Sequence, residues 1–118
     1  MQIETISFEN YETKRIETGP VSEIIYITPD GRRCRIVSIK SEYIANESFK
    51  SLKCRAKEDS FCDCHGSYRV NMAFVTGCTK TEVRLGYKAR NYSVHMSRRH
   101  YPEFRERYKM LRTQVTFI

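Results

Sequence analysis

The chain has 118 residues, of which 40% are hydrophobic and 12% aromatic, proportions that suit a single folded domain with a modest core. No apolar run reaches the length a membrane-crossing helix needs, and residues 1–14 lack the charged-then-apolar order of a secretory leader. The net charge of +7 is concentrated: residues 84–112 hold nine basic and two acidic side chains, while the rest of the chain is balanced. Such asymmetry points to a polyanionic partner, nucleic acid first.

Residues 1–20 are mixed in character and end at Gly19-Pro20, and are read as an N-terminal arm or loosely attached strand preceding one domain over 21–118. Residues 23–28 and 33–39 are β-branched runs around Pro29-Asp30-Gly31, a hairpin signal. Residues 43–52 are read as a further, less regular strand. In residues 68–75, Tyr68, Val70, Met72 and Phe74 share one face; in residues 82–89, Val83, Leu85, Tyr87 and Ala89 do the same. Alternation of this kind means one face on a core and one in solvent. The second segment's outward face carries Arg84, Lys88 and Arg90. Tyr101-Pro102-Glu103 opens a helix over about 102–113, because proline suits a first helical position and an acid favours the first turn. Phe104, Tyr108 and Leu111 form its apolar stripe. The whole predicts a mainly β fold with a C-terminal α-helix, built on a small antiparallel sheet of four to five strands.

The cysteines and histidines draw attention next. Five cysteines without a secretory leader read as thiols or metal ligands rather than a disulfide framework. Cys54, Cys62, Cys64 and His65 lie within twelve residues, and His95 and His100 follow the second alternating segment. Zinc takes four nitrogen or sulfur ligands in a tetrahedron. Two thiolates from 54–64 and the imidazoles of His95 and His100 meet that need, with Cys62 and His65 as substitutes. A hairpin between 68 and 89 would carry the chain from Cys64 back to His95. Cys34 and Cys78 are read as structural.

The order of these features resembles a FLYWCH-type zinc finger, a relative of the WRKY and GCM domains. Tyr26, Ile36 and Tyr43 stand at its aromatic, aliphatic and second aromatic positions. Leu52-Lys53-Cys54 stands at W-x-C, and Cys64-His-Gly-Ser-Tyr-Arg-Val70 at the strand opened by the second cysteine. Leu52 replaces the signature tryptophan, and the histidines are spaced H-x₄-H rather than H-x-H. The resemblance implies a zinc-stapled antiparallel sheet that contacts DNA, with Cys54, Cys64, His95 and His100 as structural zinc ligands.

The functional expectation is a DNA-binding module that acts in transcription regulation inside the cell, in the nucleus if the source is eukaryotic. Arg84, Lys88 and Arg90 would enter a groove, Arg98 and Arg99 would be held by the metal, and Arg105, Arg107 and Lys109 would contact phosphates. The alternative is a zinc-stapled protein-interaction module whose basic face meets an acidic partner, with Phe8, Tyr11 and the arm adding a strand to a neighbour or a second copy. An enzyme is not expected, since neither an H-E-x-x-H arrangement nor a glycine-rich phosphate loop is present, and neither is a small-molecule substrate.

Overall fold

The computed structural model describes residues 4–56 and 59–113. The chain opens with a hairpin of β1 (Thr5–Glu9) and β2 (Ile16–Pro20), then a 3₁₀ turn (Val21–Glu23) leads into β3 (Ile24–Asp30) and β4 (Arg33–Ser38). Strand β5 (Glu42–Ala45), helix α1 (Phe49–Arg55), β6 (Phe61–His65) and β7 (Tyr68–Asn71) follow. A second 3₁₀ turn (Met72–Phe74) passes to β8 (Val75–Cys78), β9 (Glu82–Tyr87), β10 (Arg90–His95) and helix α2 (Tyr101–Thr113). All pairings are antiparallel, in three sheets: β1-β2, β5-β4-β3-β7-β6 and β10-β9-β8.

The five-stranded sheet is the middle layer. On one face Ile24, Ile27, Cys34, Ile36, Ala45 and Phe61 pack with Ile6 and Phe8 of the first hairpin and Leu52 of α1. On the other, Ile25, Val37, Cys62, Cys64, Val70 and Met72 pack with Val75, Val83, Leu85 and Val94 of the three-stranded sheet and Phe104 of α2. Strand β3 is covered on both sides, which explains its continuous apolar run at Ile24, Ile25 and Ile27. Its hairpin with β4 closes through Gly31 and Arg32, and Gly31 has φ +61, a conformation that glycine adopts without a Cβ penalty.

The mainly β fold with a C-terminal helix and antiparallel sheets stands, but four local expectations are corrected. The segment expected as an arm or a loosely attached strand is a two-stranded hairpin whose Ile6 and Phe8 lie in the chain's own core, so Phe8 is not offered to a neighbour. The expected strand over 43–52 ends at Ala45, and Ser48 then caps α1 by accepting a hydrogen bond from the Ser51 N–H at 3.1 Å. The expected strand over 68–75 breaks at buried Asn71. Its side chain accepts from the Ala73 N–H at 3.0 Å and donates to the Ile24 carbonyl at 2.9 Å, ending one sheet where the next begins. The strand expected to run to 89 stops at Tyr87; Lys88 turns the chain with φ +53, and β10 adds a further strand.

Candidate nucleic-acid interface

Strand register decides which loops share an end of the molecule. Tyr26 pairs with Val70 and Ile27 with Arg69, so the turn at Gly31 and Arg32 runs to the same end as the turn at Gly66 and Ser67. Cys34 pairs with Ala45, and Asn10 bridges to Ala45, which brings the β1–β2 turn to that end too. There the Arg33 guanidinium lies 3.5 Å and the Lys14 ammonium 4.1 Å from the centre of the Tyr11 ring.

The three-stranded sheet delivers two more loops. His95 pairs with Glu82, and the Met96 N–H donates to the Thr81 carbonyl at 3.0 Å, setting the β8–β9 loop beside the exit from β10. That exit is fastened to the middle sheet: the Cys64 thiol donates to the His95 carbonyl at 3.3 Å, and the Ser97 N–H donates to the Cys64 carbonyl at 2.8 Å. The result is one loop-bearing end carrying Lys14, Arg15, Arg32, Lys80, Arg98 and Arg99, all exposed. Among the described residues none of these six makes an ion pair. Two nearby acids are already engaged, Asp30 by Arg35 at 2.9 Å and Asp63 by Arg69 at 3.0 Å and Lys53 at 3.2 Å.

The basic residues singled out from the sequence are therefore divided. Arg98 and Arg99 are at the loop-bearing end. Lys88 and Arg90 are at the other end of β10, five residue steps away or about 17 Å along a strand. Arg90 there donates to the Ile39 carbonyl at 3.1 Å, and Lys88 sits 5.4 Å from the Tyr87 ring centre. Arg84 pairs with Glu82 at 3.1 Å. On α2, Arg107 donates to the Phe61 carbonyl at 2.9 Å and also to that of Asp59, Lys109 lies 3.9 Å from Glu106, and Arg105 is an electrostatic neighbour of the Cys78 thiol. Arg107 thus holds the helix to β6. Sequence reading passed over Arg32, whose signal was its place at a Gly-Arg-Arg hairpin tip, and Lys80, between two threonines in a loop.

The expected zinc ligands are not gathered. Cys54 is exposed on α1, which packs on one face of the middle sheet, whereas Cys62 and Cys64 are buried in the cluster on the other. Burial pushes the Cys64 thiol up to about 12, which opposes the thiolate form a metal requires. The His65 and His95 ring centres are 6.3 Å apart, but His65 Nδ1 accepts the Ser67 N–H at 3.0 Å, which places the ring's proton on Nε2 and leaves no lone pair there for a metal. His100 Nδ1 is bonded to Ser97 Oγ at 2.5 Å. Among the described residues no group of three or more His, Cys, Asp or Glu side chains could hold a metal ion. The four residues do not fit a tetrahedral zinc site. Nor does any helix among them have the length and apolarity to cross a membrane.

Comparison with known proteins identifies the family. A family model described as the LytTr DNA-binding domain matches residues 14–109. Among solved structures, the chain is similar to the LytTr DNA-binding domain of a Bacillus cereus protein described as a methyl-accepting/DNA response regulator. That likeness has a TM-score of 0.69 and 17% identity, and it covers 90% of this chain and 96% of the other. No curated protein matches the chain in sequence. The resemblance to a FLYWCH-type zinc finger is overturned by the family match, and the structure shows why it misled: Leu52 and Cys54, set against W-x-C, lie on a helix. The chain belongs to the LytTR family and is a DNA-binding domain rather than an enzyme.

Proposed function

We propose that this domain grips duplex DNA with the loops at one end of its sheet stack, not with a strand face or a helix flank. The observation that carries this is the convergence of exposed cations from separate turns, Arg32 at the β3–β4 tip and Arg98 and Arg99 after β10, none of them ion-paired among the described residues. A duplex attracts such charge through counterion release, and arginine can read guanine edges in the major groove. Rigid sheets behind the turns fix where those guanidinium groups sit, which favours a defined footprint. Arg84, Lys88 and Arg90 are assigned no groove contact here, and Arg107 is assigned to helix docking, since both its terminal nitrogens donate to backbone carbonyls, those of Phe61 and Asp59. A role in transcription regulation inside a bacterial cell fits the domain's family and its similarity to a Bacillus cereus domain described as part of a DNA response regulator.

Fluorescence anisotropy of a labelled 30-base-pair duplex, titrated with the domain at several salt concentrations, tests the reading. Binding that weakens linearly in log–log form as salt rises is expected. Absence of binding at low salt, or affinity indifferent to salt, contradicts it.

A further inference from the structure

Between the β8–β9 loop and the segment entering α2 lies an open cleft of about 510 Å³, lined by Lys80, Thr81, Arg98, Tyr101 and Pro102. Resting on the DNA-binding reading above, we propose that this cleft is a phosphate seat: it takes one phosphodiester of the DNA backbone between Lys80 and Arg98.

Three observations support the assignment. The two cations come from different loops and face a common space, and neither makes an ion pair among the described residues. The loop carrying Lys80 is locked rather than free. Thr79 Oγ1 accepts from the Thr81 N–H at 3.2 Å and the Glu82 N–H at 3.1 Å, the Thr79 N–H donates to the Glu82 carbonyl at 2.9 Å, and Thr81 is tied to Met96. The nearest acid along the chain, Glu82, is occupied, its carboxylate bonded to Ser93 at 2.8 Å and Arg84 at 3.1 Å, so it does not neutralise Lys80. Two cations across an open cleft, neither of them ion-paired among the described residues, suit a small, diffuse, singly charged anion. A phosphodiester is that anion, and one is present at every step of a duplex.

The consequence is a division of labour at the loop-bearing end. Lys80 and Arg98 set the register of the domain on the backbone and carry no sequence information, which leaves Arg32 and Arg99 for base edges. Lys80 becomes a positioning residue for the domain's known activity, supplied by a loop outside the C-terminal charge cluster.

The test uses the full chain and two rhodamine-labelled 30-base-pair duplexes of unrelated sequence, with affinity measured across a salt series for the unmutated protein, Lys80→Gln, Arg98→Gln and the double variant. Lys80 is exposed on a loop, so an unchanged melting temperature is expected. Lys80→Gln should weaken both duplexes by the same factor, about fivefold, and lower the log–log salt slope by less than about 0.9, the value for one phosphate, which only the double variant should lose in full. Because both cations serve one phosphate, the double variant should lose less than the product of the single losses. If Lys80→Gln keeps the unmutated affinity and slope while Arg98→Gln is weakened, the phosphate seat is wrong and the DNA-binding reading stands. If the loss differs between the two duplexes, Lys80 reads bases and the seat is again wrong. If the unmutated protein binds neither duplex, both fall together.

Discussion

The thiol of Cys64 donates to the backbone carbonyl of His95 at 3.3 Å, and two residues further on the Ser97 N–H returns a bond to the Cys64 carbonyl at 2.8 Å. These contacts join the last turn of one sheet to the last strand of another. They place Arg98 and Arg99 beside the β6–β7 turn, and they explain why a cysteine stands where it does without inviting a metal. The residue's role is to fasten two loops that act together.

The same burial makes the thiols unequal. Cys34 and Cys64 are both pushed up to about 12 by desolvation, while Cys54 is exposed. At pH 8 a disulfide reagent should modify Cys54 rapidly and Cys34 and Cys64 only on unfolding, as followed by mass spectrometry. Rapid modification of Cys64 in the native protein would show that the fastening is not formed.

A stability effect follows with a definite sign. An unfolded thiol titrates near about 8.5, so above that pH the unfolded chain has released protons that native Cys34 and Cys64 retain. This contribution is complete below about pH 8.5 and is lost as pH rises towards about 12. Thermal melts should fall progressively from pH 8 to pH 11, and Cys34→Ala should flatten the fall. A melting temperature independent of pH over that range would refute the assignment.

Helix α2 is held by packing and by a cation, and the two can be separated. Phe104 is fully buried in the cluster shared with the three-stranded sheet, and Phe104→Ala should cost about 3–5 kcal/mol in denaturant unfolding. Arg107→Gln, which removes the hold on the Phe61 and Asp59 carbonyls, should cost about 1–3 kcal/mol while leaving DNA affinity nearly unchanged under conditions where the variant is folded. A large loss of affinity with stability intact would return Arg107 to the DNA interface.

Asn71 makes the hand-over between the sheets. It is 1% exposed and donates to both the Ile24 and Ser22 carbonyls while accepting from the Ala73 N–H. Asn71→Leu keeps the branched shape, though with larger bulk, but leaves these backbone groups unpaired, and should destabilise by about 2–4 kcal/mol. Asn71→Asp should also destabilise, because it cannot donate to the carbonyls when ionised. Either variant melting like the unmutated protein would contradict this role.

Particular residues show what the sequence could and could not disclose. The hairpin at Gly31 and the helix from Tyr101 were legible because local chemistry sets them: a glycine at a tight turn, and a proline with an apolar stripe. The breaks at Asn71 and Lys88 were not, because alternation of Val70, Met72 and Phe74 continues through a 3₁₀ turn, and nothing local marks Lys88 for a positive φ. The charge excess correctly pointed to DNA, yet its position along the chain did not reveal its position in space. Arg98 and Arg99 reach the loop-bearing end, Arg107 turns inward, and Arg32 and Lys80 arrive from outside residues 84–112, in the part of the chain whose charges sum to zero. The proximity of Cys64 and His95 was also anticipated, but through a metal, whereas the contact is a thiol–carbonyl hydrogen bond.

The most direct test removes two charges from one end or two from the other. Arg98→Gln/Arg99→Gln and Lys40→Gln/Lys88→Gln change the net charge equally, and Lys40 and Lys88 lie at the end away from the loops. Anisotropy with the labelled duplex at fixed salt should show the first pair weakening binding about tenfold or more and the second pair by less than about twofold. Equal losses from both pairs, or a greater loss from Lys40→Gln/Lys88→Gln, would contradict a loop-end grip on DNA.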